Sequence, residues 1–283
     1  RLWRGEIISV DSMKIYRGMD IGTAKAPPAV RQAVAHHMID VVDPWETFSL
    51  AQYLDGALRA EREIEARGGL AVFSGGTPLY ARGLLFGIFS GPPADWTLRN
   101  ELMAKAQTAG AESLHRELSA VDPAAAARLH PNDLKRVVRA LEVARLTGRP
   151  ISAQQTQMGG PARPARVVAL RRSPEDLRRR IDERVERMIE AGLVDEARRL
   201  DGRMSRTASR GAGYKEALEY ARGECSLAEA KERIRRRTWQ VSRKQMTWLR
   251  GLPGVAWVDA GPAATAEELA EKVASVWDLA GRS

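Results

Sequence analysis

Two short segments of the chain carry residue types that could bind or activate a substrate. Asp11 follows an apolar run at residues 6–10, and Gly75-Gly76-Thr77 follows a second apolar run at residues 70–73. A carboxylate at the end of a strand can accept a proton or orient a nucleophile. Adjacent glycines allow the main chain to approach a ligand and leave N–H groups free for an anion. From spacing alone, a helix cap explains Asp11 equally well.

Two groups of basic residues could bind phosphate. Arg184 ends the arginine-rich segment 178–184, and Lys135, Arg136 and Arg139 share one flank of a predicted helix. Arginine can hold phosphate oxygens with both arms of its guanidinium group. Most arginines in such runs are instead solvated or paired with acids one helical turn away. The residues by themselves favour that second interpretation for Arg184.

Motifs for three other chemistries are incomplete. His36-His37 has no cysteine or carboxylate at ligand spacing, and adjacent side chains point apart, so no metal site is predicted there. Gly211-Ala212-Gly213 begins like a dinucleotide fingerprint, but Glu216 stands where the third glycine is needed. The sequence contains no Gly-Lys-Ser/Thr phosphate loop.

The elements that would position these residues alternate between strands and helices. Short apolar runs at 6–10, 70–73, 166–170 and 255–258 predict buried strands, and helical patterns lie between them. This alternation predicts an α/β core with a parallel sheet. Ligands of such sheets bind beyond the carboxyl ends of the strands. Asp11 and the Gly75-Gly76-Thr77 turn both occupy that position.

The middle of the chain has a different pattern. Helical patterns at 97–109, 111–118 and 134–146 are separated by Gly and Pro, with no convincing strand. We therefore predict a helical insertion at 94–164, carried by a core made of 1–93 and 165–283. In the C-terminal third, Ser173-Pro174 predicts a helix start and residues 227–249 form a long basic helix.

The composition of the chain indicates the kind of partner that it binds and the compartment in which it occurs. The chain has 283 residues, with 45 basic against 36 acidic residues and a net charge of +9. This excess favours a polyanion, above all nucleic acid, over a merely basic soluble protein. No apolar run is long enough to span a membrane, and the single Cys225 predicts a reducing compartment, the cytoplasm.

Several segments together closely resemble the bacterial tRNA dimethylallyltransferase family, also called tRNA isopentenyltransferases. The resemblance is carried first by residues 5–12 and by the long block 16–25, which includes Asp20-Ile21-Gly22-Thr23-Ala24-Lys25. It continues in order along essentially the whole chain, through segments 36–40, 75–80, 130–133, 136–143, 213–216 and 243–250.

The resemblance implies a fold and an activity. The fold is a P-loop kinase-like parallel sheet core with an inserted helical domain that helps to grip the tRNA anticodon arm. The activity is transfer of a dimethylallyl group from dimethylallyl diphosphate to N6 of the adenosine immediately 3′ of the anticodon, with release of diphosphate. Mg²⁺ is the implied cofactor, its ligands remain unassigned, and the protein is expected to act as a cytoplasmic monomer.

The resemblance also implies roles for individual residues. Asp11 is implied as the general base, and Arg184 as the catalytic arginine that binds diphosphate. Thr77 and Arg99 are implied to contact the tRNA near the target base. Three further segments are implied to line the RNA path: Asp11, Ser12, Met13 and Lys14; Lys135, Arg136, Val137, Val138 and Arg139; Arg210, Gly211, Ala212, Gly213, Tyr214 and Lys215.

The sequence departs from the family pattern in one large respect. Family members have a Gly-Lys-Ser/Thr loop roughly twenty residues before the strand that carries the Asp11 equivalent, and this loop is missing here. We therefore expect the chain to be a fragment, inactive or impaired on its own. Pro78 and Met13-Lys14 are smaller departures. The alternatives are a non-catalytic protein that binds the tRNA anticodon arm and a small-molecule kinase of the same fold.

Overall fold

A computed structural model describes residues 5–89, 91–155 and 163–277. The chain divides into two compact units, Arg1–Leu84 with Pro164–Ser283, and Leu85–Arg163. The strands are β1 (Gly5–Val10), β2 (His36–His37), β3 (Leu70–Gly75), β4 (Val167–Arg171) and β5 (Val255–Asp259). The helices are α1 (Pro28–Ala33), α2 (Leu50–Ala66), α3 (Pro78–Phe86), α4 (Trp96–Ala109), α5 (Ala111–Val121), α6 (Pro123–Ala126), α7 (Leu134–Thr147), α8 (Ile151–Gln154), α9 (Pro174–Glu190), α10 (Leu193–Leu200), α11 (Tyr214–Ala221), α12 (Leu227–Arg250) and α13 (Ala266–Trp277).

The larger unit contains two parallel sheets. One has the strand order β2-β1-β3, and the other pairs β4 with β5. In the first sheet Val10 is opposite Gly75, so β1 and β3 end at the same level. The predicted α/β class with parallel strands is thereby confirmed, and the carboxyl ends of β1 and β3 lie side by side.

The short strand β2 was not predicted. It has only two residues, which is too short for a periodic pattern, and it pairs with Ile7 and Ile8 of β1. The His37 ring, which sequence analysis weighed only as a metal ligand, lies 2.6 Å from a carboxylate oxygen of Glu6. Among the described residues, no group of three or more His, Cys, Asp or Glu side chains could hold a metal ion.

Helices α2, α9 and α12 of the larger unit begin at serine caps. Ser173 accepts a hydrogen bond from the Asp176 N–H, with Pro174 at the first helical position, as predicted for α9. Ser49 and Ser226 form capping boxes at the starts of α2 and α12. No described helix has both the length and the apolar character required to cross a bilayer.

In the smaller unit all regular elements among the described residues are helices. Helices α4, α5 and α7 correspond to the three predicted helices, and they pack around buried Leu102, Leu114, Leu118 and Leu141. Glu142 is also fully buried in this unit. Its carboxylate accepts a two-armed hydrogen bond from Arg99, at 2.9 Å to each oxygen, and a further bond from Arg139. These ion pairs compensate for the cost of burying the Glu142 charge.

Acid is expected to destabilise the larger unit through Asp176. Burial raises the pKa of this carboxyl, but ion pairs with Arg172, Arg179 and Arg180 outweigh burial and lower the pKa to about 2. A carboxyl whose pKa is lower in the folded chain than in the unfolded chain stabilises the fold. This stabilisation is complete when the pH is above the unfolded pKa, near 3.8, and is lost as the pH falls towards 2. Urea unfolding between pH 5 and pH 3 should therefore show a smaller loss of stability for Asp176→Asn than for the parent. An equal loss in both would contradict this assignment, and Asp55→Asn, at an exposed position of α2, is the control.

Candidate active site

The ends of β1 and β3 are joined by the turn that follows β3. The Val10 carbonyl accepts hydrogen bonds from the N–H groups of Gly76 (3.2 Å) and Thr77 (3.0 Å). A Cβ atom at Gly75 would collide with the Val10 main chain, so only glycine permits this close approach. The two segments that sequence analysis singled out are therefore in direct contact.

Asp11 acts as a local cap through one carboxylate oxygen only. Its Oδ1 accepts hydrogen bonds from the Met13 N–H (2.8 Å) and the Lys14 N–H (3.3 Å). The neighbouring Ser12 N–H donates to Thr77 Oγ1 at 3.0 Å, which ties this turn to the turn after β3. Among the described residues Asp11 Oδ2 has no hydrogen-bond donor, and the residue is partly accessible to solvent. One oxygen thus fixes the orientation of the carboxylate while the other is available to a substrate proton.

Two stacked tyrosines lie close to Asp11. The Tyr53 and Tyr80 rings stack at 3.8 Å between centroids, and the Tyr53 hydroxyl donates to the Ser9 carbonyl at 3.0 Å. Burial is the main cause that raises the pKa of both phenols, and the negative charge of Asp11 adds to it. Both tyrosines therefore stay neutral near Asp11 and fix the end of β1. Sequence analysis did not identify this pair.

Arg184 differs from the other arginines of its helix. Ile181, Val185 and Met188 bury one face of α9, and the run 178–184 places its other cations against partners. Arg179 and Arg180 bind Asp176, and Arg178 lies 4.8 Å above the Trp239 ring. No described residue forms an ion pair or hydrogen bond with the Arg184 guanidinium. The sequence favoured solvated or acid-paired arginines throughout this run. The structure gives partners to Arg178, Arg179 and Arg180, but no described partner to Arg184.

One negative and one positive charge act on the Arg184 guanidinium. The residue is accessible to solvent, yet desolvation by surrounding protein lowers the pKa of its guanidinium. The negative charge of Asp11 opposes this shift, and the positive charge of Arg187 adds to it. Arg184 and Asp11 thus lie within electrostatic range of each other. A cation without a partner beside a second cation is suited to bind an anion.

The long helix α12 supports the turn after β3. Gln245 Nε2 donates to the Gly76 carbonyl at 2.8 Å, and a Cβ atom at position 76 would collide with this amide. The sequence alone placed Gln245 only within the long basic helix predicted at residues 227–249. Its contact spans 169 residues of sequence, so no local pattern could have indicated it.

The block 20–25, which carried the family resemblance most strongly, is held by a buried carboxylate. Glu196 accepts hydrogen bonds from the N–H groups of Asp20, Ile21 and Gly22, and from the Tyr214 hydroxyl at 2.6 Å. A Cβ atom at Gly22 would collide with the Tyr214 ring. These contacts give the block a structural role, since they fix the loop after β1 to α10 and α11.

The positions implied for the RNA path fall into exposed and buried sets. In the larger unit Arg210 and Lys215 are exposed, whereas Gly211, Gly213 and Tyr214 are buried and Ala212 is half-buried.

In the smaller unit Lys135 and Arg136 are exposed, and Arg136 pairs with Asp133. Val137 and Val138 pack in the core, and Arg99 and Arg139 bind Glu142. Contact of these segments with RNA stays a prediction, and the buried side chains act by holding the exposed ones in place.

The larger unit therefore has parallel strands, a carboxylate at a strand end and, within electrostatic range of that carboxylate, an arginine with no partner among the described residues. The parallel strands and the helices that connect them define an α/β protein of the P-loop kinase-like class. Residues 14–252 match the model of a family described as IPP transferase. The chain belongs to this family.

Named relatives and solved structures agree with that assignment. The tRNA dimethylallyltransferase of Geobacter metallireducens is 47% identical over 90% of this chain and 84% of its own length. The tRNA dimethylallyltransferase of Geobacillus kaustophilus is 44% identical over 97% of this chain and 90% of its own length. The full-length tRNA isopentenylpyrophosphate transferase of Bacillus halodurans has a similar structure, with a TM-score of 0.68, 36% identity, and coverage of 98% of this chain and 89% of its own. A eukaryotic dimethylallyltransferase acting on tRNA, at 24% identity and a TM-score of 0.82 over 98% of this chain and 73% of its own, has the same fold.

Proposed function

We propose that this protein is a tRNA dimethylallyltransferase. It transfers a dimethylallyl group from dimethylallyl diphosphate to N6 of the adenosine immediately 3′ of the anticodon and releases diphosphate. The observation that carries this proposal is that Asp11 and Arg184 lie within electrostatic range of each other, while among the described residues Asp11 Oδ2 has no donor and Arg184 has no ion-pair partner. Together they supply a proton acceptor and an anion-binding group in one place.

The reaction requires a base at the amine. The lone pair of adenine N6 is delocalised into the ring, so the amine is a poor nucleophile. As N6 forms a bond to C1 of the dimethylallyl group, Asp11 Oδ2 accepts the proton that N6 loses. The hydrogen bonds from Met13 and Lys14 to Oδ1 keep the carboxylate oriented during this step. The proton then passes from Asp11 to water.

The leaving group requires positive charge. The bond between C1 and the bridging oxygen breaks, and its electron pair stays on the diphosphate. Arg184 binds the diphosphate oxygens and stabilises the negative charge that develops on them. Because the guanidinium makes no hydrogen bond to the described residues, no internal ion pair has to be broken first.

Mg²⁺ is the cofactor that we propose. Ions of this type are commonly held by one or two carboxylates together with substrate phosphates. The described residues offer no cluster of three acidic or imidazole ligands, so the fit to this chain alone is incomplete and the diphosphate itself would provide most of the ligands. When bound, the ion would neutralise charge on the diphosphate. The steps at Asp11 and Arg184 are assigned without it.

The RNA substrate accounts for the charge of the chain. Each phosphate that a Lys or Arg neutralises releases counterions, which gives affinity that falls with salt. Attack by N6 requires the adenine to leave its stack, and an anticodon loop offers an unpaired base at low cost. We propose that Thr77, Arg99 and the exposed cations of segments 11–14, 135–139 and 210–215 contact the anticodon arm. The protein would act as a monomer in the cytoplasm, where its tRNA substrate occurs.

Mass spectrometry of the RNA tests the proposed function. An anticodon stem-loop with adenosine 3′ of the anticodon is incubated with dimethylallyl diphosphate and Mg²⁺. Two protein forms are used, this chain alone and this chain joined to a preceding strand and Gly-Lys-Ser/Thr loop. We expect the RNA to gain the mass of one dimethylallyl group in at least the second form, and a stem-loop with guanosine at that position to gain nothing. Binding of the stem-loop without any gain in mass would favour the non-catalytic tRNA-binding alternative.

Gln245 is predicted to position the turn after β3, which contacts the end of β1 beside Asp11. Gln245→Met keeps the side-chain volume but removes the N–H donor to the Gly76 carbonyl. We expect kcat to fall about tenfold or more, because small displacements of positioning groups are costly, while the KM for dimethylallyl diphosphate changes little. Steady-state transfer kinetics measure both parameters. A change in KM alone would contradict a positioning role, and Gln32→Met, at an exposed position of α1, is the matched control.

A further inference from the structure

An open basic groove lies between α11 and α12 of the larger unit and extends from Lys215, at the end of segment 210–215, along one face of α12. Its volume is about 310 Å³. The residues that line it are Lys215, Glu216, Glu219, Arg233, Arg236, Arg237 and Gln240. Four cations against two carboxylates leave the groove with a net charge of +2.

The spacing of these residues makes the groove a continuous surface. Arg233, Arg236, Arg237 and Gln240 follow each other at three, four and seven positions from the first, so they share one face of α12. Lys215 and Glu219 are one turn apart on α11 and face the same space. The long side chains of these residues therefore line both walls of one polar channel.

Most of the cations in the groove are held in fixed positions. Arg233 binds Glu219 at 2.9 Å, and Arg237 binds Glu216 at 3.1 Å and the Arg210 carbonyl at 2.7 Å. Ion pairs of this kind orient guanidinium groups while leaving other N–H donors free. Arg236 is exposed, and within the described part of the chain no group is paired with it. The groove thus combines oriented cations with one cation that is available to a ligand.

The groove shares helix α12 with Gln245, which supports the turn after β3. Gln245, which donates to Gly76 beside Asp11, lies eight positions after Arg237. At 1.5 Å per residue this is about 12 Å along α12. The groove is open and polar, without a buried binding group, so it suits an extended chain of phosphates better than a small anion.

We propose that the groove binds the sugar–phosphate backbone of the tRNA anticodon arm, with Arg236 as a direct phosphate contact. This inference rests on the proposed function for the identity of the RNA. Binding at the groove would fix the position of the arm while the target adenine reaches Asp11. The contact carries no information about base sequence.

Salt-dependent binding of a fluorescent anticodon stem-loop tests the groove. Fluorescence anisotropy gives the Kd of this chain at a series of salt concentrations, and no catalytic activity is needed. For Arg236→Gln we expect the Kd to rise about three- to tenfold and the slope of log K against log salt to fall by about 1, as for the loss of one phosphate contact. Arg62→Gln, at an exposed position of α2 on the same unit, is the matched control and should change neither value.

The outcomes separate the groove from the proposed reaction. An unchanged slope and Kd for Arg236→Gln would overturn the groove proposal, even where the parent protein transfers dimethylallyl to RNA. Equal losses in Arg236→Gln and Arg62→Gln would also overturn it, because general charge would then explain binding. A reduced slope in Arg236→Gln alone supports the groove, and it does so even if no transfer to RNA is detected.

Discussion

Substitution of Asp11 by asparagine is expected to lower the rate of dimethylallyl transfer by about 10²- to 10⁴-fold, which is the usual contribution of a general base. The amide oxygen of asparagine can still accept the hydrogen bonds from Met13 and Lys14, so the turn after β1 should be kept. The amide cannot accept the proton that N6 loses. Single-turnover transfer to an anticodon stem-loop measures the rate, and anisotropy with the same stem-loop measures binding.

The control for this prediction is a matched substitution at an exposed acid. Asp55→Asn on α2 removes the same charge at a position whose one ion pair within the described part of the chain is with the exposed Arg59, and it should transfer at the parental rate. The Kd for the stem-loop should change less than about threefold in Asp11→Asn, which corresponds to a small free energy. Transfer by Asp11→Asn at the parental rate would remove Asp11 from the reaction.

The second large effect is expected at Arg184. Arg184→Ala should reduce transfer by about 10²- to 10³-fold, because a group that stabilises charge in the transition state is lost. Diphosphate should also become a weaker inhibitor of transfer, and Arg184→Lys should lie between the two because lysine keeps the charge but loses the two-armed contact. Inhibition by added diphosphate and the transfer rate are measured on the same proteins.

The control for Arg184 is an arginine with an ordinary surface partner. Arg198 on α10 is exposed and pairs with Asp195 at 3.2 Å. Arg198→Ala should transfer at the parental rate and keep the same sensitivity to diphosphate. If Arg184→Ala also kept both properties, Arg184 would be a solvated residue of α9, as its place in an arginine-rich run first indicated.

The parts of the fold that sequence reasoning predicted are those with a local signal. Apolar runs ending in polar turn residues marked β1 and β3, and the Ser173-Pro174 start marked α9. The position of Asp11 and Gly75-Gly76-Thr77 at strand ends followed from the parallel arrangement. The register of Val10 with Gly75 then brings the two segments into contact.

The parts that sequence reasoning missed depend on contacts between distant residues. Glu196 binds the N–H groups of residues 20–22 across more than 170 positions, and Gln245 reaches Gly76 across 169. Tyr53 and Tyr80 stack only because α2 and α3 pack beside each other at the end of β1. Neither periodicity nor spacing reports such pairs, since each partner alone is an ordinary residue of a helix or a loop.

Arg184 shows how structure and sequence arguments combine. The run 178–184 contains four arginines, and the local pattern cannot distinguish a functional arginine from a structural one. The structure assigns Asp176 to Arg179 and Arg180, and Trp239 to Arg178. Only after those partners are known does the lack of a described partner at Arg184 indicate an anion site.

Transfer of labelled dimethylallyl from its diphosphate to an anticodon stem-loop tests the central claim most directly. The assay uses this chain alone, this chain joined to a strand and Gly-Lys-Ser/Thr loop, and the joined form with Asp11→Asn. We predict label on the adenosine 3′ of the anticodon with at least the joined form, and a loss of about 10²-fold or more with Asp11→Asn. Absence of label in the RNA with both parental forms, although each binds the stem-loop, would contradict the transferase account.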